Sequence, residues 1–112
     1  MKKIFAPYSS FEHLNIRVGT IRNAEPFPEA RKPAYKLTID FGDAGIKKSS
    51  AQITEKYTPE TLIGKQIVAV INFPPKQIGK FISECLVLGA YTESGVVLLQ
   101  PDQSVINGLK IG

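Results

Sequence analysis

The sequence has no tryptophan and only one cysteine, one histidine and one methionine in 112 residues. The single cysteine, Cys85, cannot form an internal disulfide, and its apolar context ECLVLG is typical of a small buried side chain. A catalytic thiol needs a nearby base, and His13 is far from Cys85 in sequence. No His, Cys, Asp or Glu residues follow a metal-ligand spacing. The sequence therefore predicts a protein without catalytic residues, metal or cofactor.

Long apolar segments are also missing. No run approaches the ~20 residues that a membrane helix needs. The N-terminus MKKIFAPYSS begins like a signal peptide, but its apolar stretch IFA is too short to be one. We therefore expect a cytoplasmic protein with no membrane insertion.

The excess of positive charge is modest and unevenly placed. The net charge is +4, and residues 17–80 carry eleven Lys or Arg against six Asp or Glu. A basic central region favours anionic partners such as nucleic acid, although ordinary surface lysines would give the same count. The length predicts one domain over residues 1–112.

Several short segments alternate in hydrophobicity. The segment AYKLTIDFG alternates most regularly, which indicates a half-buried antiparallel strand with Tyr35 and Phe41 facing the core and Lys36 facing outward. The segment NIRVGTIR predicts a strand in which Gly19 marks a bulge or bend. Residues 23–33 contain three prolines without periodicity and are predicted to form a loop.

Two short helices are predicted. Residues 9–12, SSFE, fit a capping box ahead of a turn over residues 11–14. Thr58 followed by Pro59 predicts a second helix after the third strand. With five to seven strands in total, the pattern fits a five-stranded Greek-key OB-fold barrel, an SH3-like barrel or a small sandwich.

The segment NFPPKQIGKFISECLVLG, residues 72–89, joins two of these strands. Pro74 and Pro75 cannot donate to a sheet, so the preceding strand must stop there. We expect an exposed basic loop that meets a partner, in which Ser83 and Glu84 serve to fix the point where the chain re-enters the barrel.

The elements FEHLNIRVGTI, FPEARKPAYKLTIDFG, SSAQIT, NFPPKQIGKFISECLVLG, VVLLQPD and a late NG occur in order over nearly the whole chain. Together they resemble the tRNA-binding-domain family, and within it the CsaA-type secretion chaperones. The resemblance implies an all-β, five-stranded Greek-key OB-fold with a short helix between strands three and four. It also implies N- and C-terminal extensions that help to build a homodimer.

The 72–89 segment departs from the broader family pattern in a few places. It keeps the expected Asn72, but has Phe73 where leucine is usual, Gly79 one position early, and Leu86 where methionine is common. These departures favour the chaperone branch over the RNA-binding appendages of aminoacyl-tRNA synthetases.

Two ligand surfaces are predicted. The candidate RNA-binding residues share a positive charge and are Arg31, Lys32, Lys36, Lys47, Lys48, Lys76 and Lys80. The candidate peptide-binding residues share an apolar side chain in or beside the loop and are Phe73, Pro74, Pro75, Ile78 and Phe81. Alternatively, the lysines form a solvated face, and Ile78 and Phe81 pack under the loop or at a dimer interface.

The expected function is that of a non-catalytic, homodimeric chaperone for unfolded or export-bound polypeptides that also binds tRNA or other structured RNA. The secretion machinery is a further expected partner. The alternative is a dedicated tRNA-binding protein, or a trans-acting synthetase cofactor, without chaperone activity. Apolar side chains at both termini, such as Phe5 and Ile106, supply the surface that a dimer would need.

Overall fold

The computed structural model of the protein describes residues 4–112. The fold consists mainly of β-strands, with a few short helices. The strands are β1 (Ile16–Pro26), β2 (Tyr35–Asp40), β3 (Ile46–Ala51), β4 (Gln66–Val70), β5 (Lys76–Ile78), β6 (Phe81–Ser83), β7 (Leu86–Val87), β8 (Gly89–Thr92) and β9 (Gly95–Leu98). The α-helices are α1 (Tyr8–Glu12) and α2 (Pro59–Leu62), and a short 3-10 helix covers Gly42–Ala44.

Five strands form one antiparallel sheet in the order β3-β2-β1-β4-β7. The first three are consecutive neighbours, and β4 returns by a long connection to lie beside β1, which is the Greek-key order. The sheet curls into a nearly closed barrel, and α2 lies between β3 and β4 in sequence. The prediction of an OB-fold-like barrel with a helix at this position is confirmed.

The interior of the barrel is apolar. Phe41, Ile39, Ile21 and Ile67 are fully buried there. Tyr35 packs against the same cluster while its hydroxyl donates to the Tyr57 carbonyl at 2.7 Å. The alternation predicted for β2 is therefore confirmed.

The strand β1 differs from the prediction in two ways. It extends to Pro26, into the segment predicted as a loop, and its bulge lies between Ile21 and Asn23 instead of at Gly19. Gly19 has another role, because a Cβ there would lie 2.7 Å from both Ile39 and the Phe41 ring. The glycine is needed because β1 packs closely against side chains at the end of the neighbouring strand β2.

The helices give one confirmed and one wrong prediction. Thr58 and Thr61 form reciprocal capping hydrogen bonds at the start of α2, with Pro59 in its first turn. In contrast, α1 begins directly after Pro7 and has no side-chain cap, so the capping box predicted for residues 9–12 is not formed. Neither helix in residues 4–112 has the length and hydropathy that membrane crossing requires.

Candidate nucleic-acid and peptide interface

The segment after the double proline forms a hairpin instead of the predicted open loop. The strands β5 and β6 pair only with each other within the described residues, with Ile78 opposite Phe81. Gly79 has a positive φ of 61° in the two-residue turn between them, which is the conformation that such hairpins require at this position. The hairpin projects Lys76 and Lys80 from the barrel as exposed side chains.

Side chains fasten this hairpin to the free edge of β3. The Lys48 amide donates to Glu84 Oε1 at 2.9 Å, and the Ser50 amide donates to Ser83 Oγ at 3.1 Å. The Glu84 amide in turn donates to the Lys48 carbonyl at 2.7 Å. Ser83 and Glu84 therefore close the barrel, as the sequence predicted for the point of chain re-entry.

Cys85 follows this seam and is buried. Burial is the main cause that raises the pKa of its thiol to about 11 from an ordinary value of 9.0. The Ser49 hydroxyl donates a hydrogen bond to the backbone carbonyl of Cys85 at 3.0 Å. A buried thiol that stays protonated at neutral pH is a poor nucleophile, which agrees with a packing role.

The shifted thiol pKa predicts how stability depends on alkaline pH. Between pH 9 and 11 the folded protein keeps the Cys85 proton while the unfolded chain loses it. The free energy of unfolding should therefore fall as pH rises through this range, by on the order of 2–3 kcal/mol. Urea denaturation at several pH values measures this fall. The Cys85→Ala variant should lack this component, and an equal fall in both proteins would contradict the prediction.

A groove with a basic lining lies between the 29–34 segment and the hairpin. We call it the basic groove; its lining residues are Glu29, Ala30, Arg31, Lys32, Ala34, Ser50, Gln52, Lys76, Gln77, Ile78 and Gly79. The structure thus brings together Arg31, Lys32 and Lys76, three of the seven candidate RNA contacts, against one carboxylate. Their exposed positions suit contact with phosphates.

Lys36 and Lys80 line a neighbouring hollow with Phe27, Glu29 and Phe81. The Lys36 ammonium lies 3.7 Å from a Glu25 carboxylate oxygen and over the Phe27 and Phe81 rings, 5.2 and 5.9 Å from their centroids. The carboxylate and the two aromatic rings already stabilise the positive charge of the Lys36 ammonium. Lys36 is therefore a weaker candidate for a phosphate contact than Lys80.

The remaining two candidate cations lie on β3, at the seam. Lys48 is exposed and Lys47 is half-buried. Alternation along the strand puts Lys47 on the inward side with Ser49, and puts Lys48 on the outer face. Neither lysine lines the basic groove.

A second groove adjoins the basic one and is also lined by β5. We call it the apolar groove; its lining residues are Ser50, Gln52, Phe73, Pro74, Lys76, Ile78, Ser83, Glu84, Cys85 and Leu86. Phe73 and Leu86 remain 44% and 49% exposed there. Phe73, Pro74 and Ile78, three of the five candidate peptide contacts, thus share one surface with the unpredicted Leu86.

The other two peptide candidates lie elsewhere. Phe81 packs against Phe27 with ring centroids 5.2 Å apart in an edge-to-face arrangement. This contact matches the packing alternative predicted for Phe81. Pro75 is exposed and lines neither groove.

Asn72, which the sequence shares with the family pattern, has a structural role. Its side-chain oxygen accepts from the Asn15 amide, and its nitrogen donates to the His13 carbonyl, both at 2.8 Å. Asn72 thus ties the end of β4 to the N-terminal segment. His13 is exposed beside α1, as expected for a surface residue.

Sequence reasoning missed Phe27, Ser50 and Gln52. Phe27 lies in a segment without periodicity. Its position between two prolines, which restrict the backbone, was the one signal that its side chain has a fixed place. Ser50 and Gln52 are polar and carry no charge signal. They enter the site because the edge of β3 and the residue after it line both grooves.

Asp40, the last residue of β2, has a structural role. Asp40 accepts from the Gly42 amide at 2.8 Å and from Arg22 at 3.1 Å. The Gly42 hydrogen bond is the larger cause that lowers the Asp40 pKa, and Arg22 adds to it. Within residues 4–112 no group of three or more His, Cys, Asp or Glu residues is placed to hold a metal ion.

Comparison with known proteins agrees with this architecture. The family model described as a putative tRNA-binding domain matches residues 16–110. Methionine–tRNA ligases from Leptospira biflexa and Archaeoglobus fulgidus are 33% and 36% identical over 93% and 90% of the chain. The chain spans only about 15% of the length of these curated relatives.

Two solved structures match nearly all of this chain and the whole of theirs. The chaperone CsaA from Bacillus anthracis is 55% identical, with a TM-score of 0.92, over 97% of this chain and 100% of that one. CsaA from Picrophilus torridus is 56% identical, with a TM-score of 0.91, over 96% and 100%. With the barrel, the family match and these neighbours in agreement, the protein belongs to the tRNA-binding-domain family and is similar to its CsaA chaperones.

Proposed function

We propose that the protein is a non-catalytic, homodimeric, cytoplasmic chaperone that binds unfolded or export-bound polypeptides in the apolar groove and tRNA or other structured RNA in the basic groove. The observation that carries the proposal is the adjacency of the two grooves on one face of the barrel. The family match supports tRNA binding, and the similarity to CsaA over the full chain supports a chaperone role. Contact with a secretion machinery would follow from export-bound clients.

The RNA part of the proposal depends on charge. Arg31, Lys32 and Lys76 lie on two segments that face each other across the basic groove. Cations on both sides of a groove can follow an RNA backbone, and each neutralised phosphate releases counterions. Aromatic stacking contributes little here, because Phe27 is buried and Phe81 is packed against it.

The peptide part depends on exposed apolar surface beside polar groups. Phe73 and Leu86 offer exposed apolar side chains to a ligand, while Ser50 and Gln52 offer hydrogen-bonding groups along the same groove. Unfolded chains expose both apolar side chains and unpaired main-chain groups, so such a groove fits them.

Chaperone activity is tested by aggregation of an unfolded client. At stoichiometric amounts the protein should suppress the light scattering of thermally unfolded citrate synthase. Phe73→Ala removes an exposed aromatic contact and should weaken suppression several-fold, while circular dichroism stays unchanged. Tyr91→Ala, which removes an exposed aromatic outside the apolar groove, is the control. No suppression by the native protein would leave the alternative, a dedicated tRNA-binding protein or a trans-acting synthetase cofactor.

The dimer is proposed from the terminal extensions. Within residues 4–112, α1 has no buried residue, and Tyr8 and Ile106 are 73% and 78% exposed. Leu14 and Ile111 pack on the same small cluster outside β1 and β4. The two extensions therefore flank one face, and apolar surface of this kind needs a partner.

A charge placed on this face should separate the subunits. The native protein should scatter light with twice the 12.3 kDa mass of one chain. Ile106→Glu should shift the mass towards one chain, because a buried unpaired carboxylate is costly. Gln103→Glu introduces the same charge at an exposed polar position nearby and should leave the dimer intact. A native mass of one chain would refute the dimer.

A further inference from the structure

The two grooves share one wall. Four residues, Ser50, Gln52, Lys76 and Ile78, line both the basic and the apolar groove. Ser50 and Gln52 belong to the β3 edge and the residue after it, and Lys76 and Ile78 belong to β5. The surfaces assigned to RNA and to polypeptide therefore overlap, although the two sets of candidate residues predicted from the sequence have no member in common.

From this overlap we infer that RNA and polypeptide exclude each other on one protomer, so that RNA occupancy controls access to the chaperone groove. The inference rests on the proposed function, since it needs both ligands. Competition between the two ligands goes beyond that function, because a protein could bind RNA and polypeptide without either one affecting the other.

The wall that the two grooves share is too short for RNA and polypeptide to bind there at the same time. A strand of three residues such as β5 is only about 10 Å long at ~3.3 Å per residue. Lys76 is exposed on this strand and is the only cation in the described residues that lines both grooves. An RNA backbone seated on Lys76 and Lys32 crosses the mouth of the apolar groove, and a peptide seated on Ile78 covers the approach to Lys76.

The hairpin cannot easily move aside to accommodate both ligands. Ser83, opposite Lys76 in the hairpin, accepts the Ser50 amide at 3.1 Å, and Glu84 makes two further hydrogen bonds to Lys48. Opening the wall would break this seam and expose Cys85 and Ser49, which lie beneath it. The overlap is thus fixed by the closure of the barrel.

Exclusion has a thermodynamic signature. Each ligand must weaken the other by the same factor, because the coupling between two binding equilibria is reciprocal. RNA affinity falls steeply with salt, whereas apolar contacts are not screened. Competition should therefore favour RNA at low salt and polypeptide at high salt.

The test measures both ligands on the native protein. Fluorescence anisotropy follows a labelled, apolar nonapeptide while unfractionated tRNA is added at 50 mM and at 300 mM salt. The summed occupancy of peptide and tRNA should not exceed one per protomer, and the apparent peptide Kd should rise at least tenfold at saturating tRNA in low salt. At high salt the same tRNA concentration should displace little peptide.

Two variants separate the outcomes. Arg31→Gln with Lys32→Gln should remove the displacement while leaving peptide binding unchanged, and Lys56→Gln, an exposed lysine outside both grooves, should behave like the native protein. A complex that holds peptide and tRNA on one protomer would overturn exclusion while leaving the proposed function intact. Failure of either ligand to bind alone would instead overturn the proposed function, and exclusion with it.

Discussion

Replacing Phe41 with alanine is expected to lower the free energy of unfolding by about 3–5 kcal/mol. Its ring is fully buried in the barrel, against Gly19 of the neighbouring strand. The substitution removes apolar contacts and leaves a cavity that the strands on either side cannot fill. Since domains have only about 5–15 kcal/mol of stability in total, this is a large fraction.

The packing against Gly19 allows a sharper test. Gly19→Ala alone should cost about 1–3 kcal/mol, because the new methyl group would lie 2.7 Å from Phe41 and from Ile39. In the Phe41→Ala background the ring is gone, so Gly19→Ala should cost at least about 0.5 kcal/mol less. This difference is roughly the smallest interaction energy found between residues in contact.

Urea denaturation followed by circular dichroism measures all four proteins of this cycle, at one protein concentration because the proposed dimer would make stability depend on concentration. Gly64→Ala is the contrast to Gly19→Ala, because it adds the same methyl group without a steric clash. A Cβ there meets no atom within 4 Å, and only its φ of 91° opposes the change. Strictly additive costs for Gly19 and Phe41 would show that the close approach of the two strands does not limit this core.

The second large effect concerns RNA. A variant with Arg31, Lys32 and Lys76 all replaced by glutamine should lose tRNA affinity by on the order of 10²–10³-fold at 50 mM salt. The logarithmic salt slope should become shallower by roughly 2–3, because three phosphate contacts and their counterions are lost. Filter binding at several salt concentrations measures both quantities.

Lys36 provides the matched comparison within the candidate set. Its ammonium is already held by Glu25 and two aromatic rings, so Lys36→Gln should change the salt slope by less than the replacement of Lys32 or Lys76. The triple variant should keep the native circular dichroism spectrum, since all three side chains are exposed. An unchanged salt slope would show that the basic groove does not contact phosphates.

These predictions depend on features that the sequence revealed to different degrees. The alternation of β2 and the Thr58-Pro59 start of α2 were readable, because both are local patterns with a direct physical cause. The ordered motifs from residue 11 onwards identified the barrel and its family. Burial of Cys85 also followed from its apolar neighbours.

Local pattern failed where a distant partner decides the structure. The sequence predicts a loop where the β5–β6 hairpin lies, since three-residue strands are too short to show periodicity. Phe27 is buried although it lies between prolines, because Phe81 reaches it from the hairpin. Charge alone does not distinguish Lys36 from the free cations, because the sequence does not show that Glu25 lies opposite it on β1.

By itself, then, the sequence determined the all-β barrel, the family and the basic and apolar character of the 72–89 segment, since these follow from composition, alternation and ordered motifs. Only the tertiary structure decided which candidate side chains share a groove. That choice depends on how the β3 edge meets the hairpin, through Ser50, Ser83 and Glu84. Hydrogen bonds across more than thirty residues of sequence fix this seam, and no local pattern encodes them.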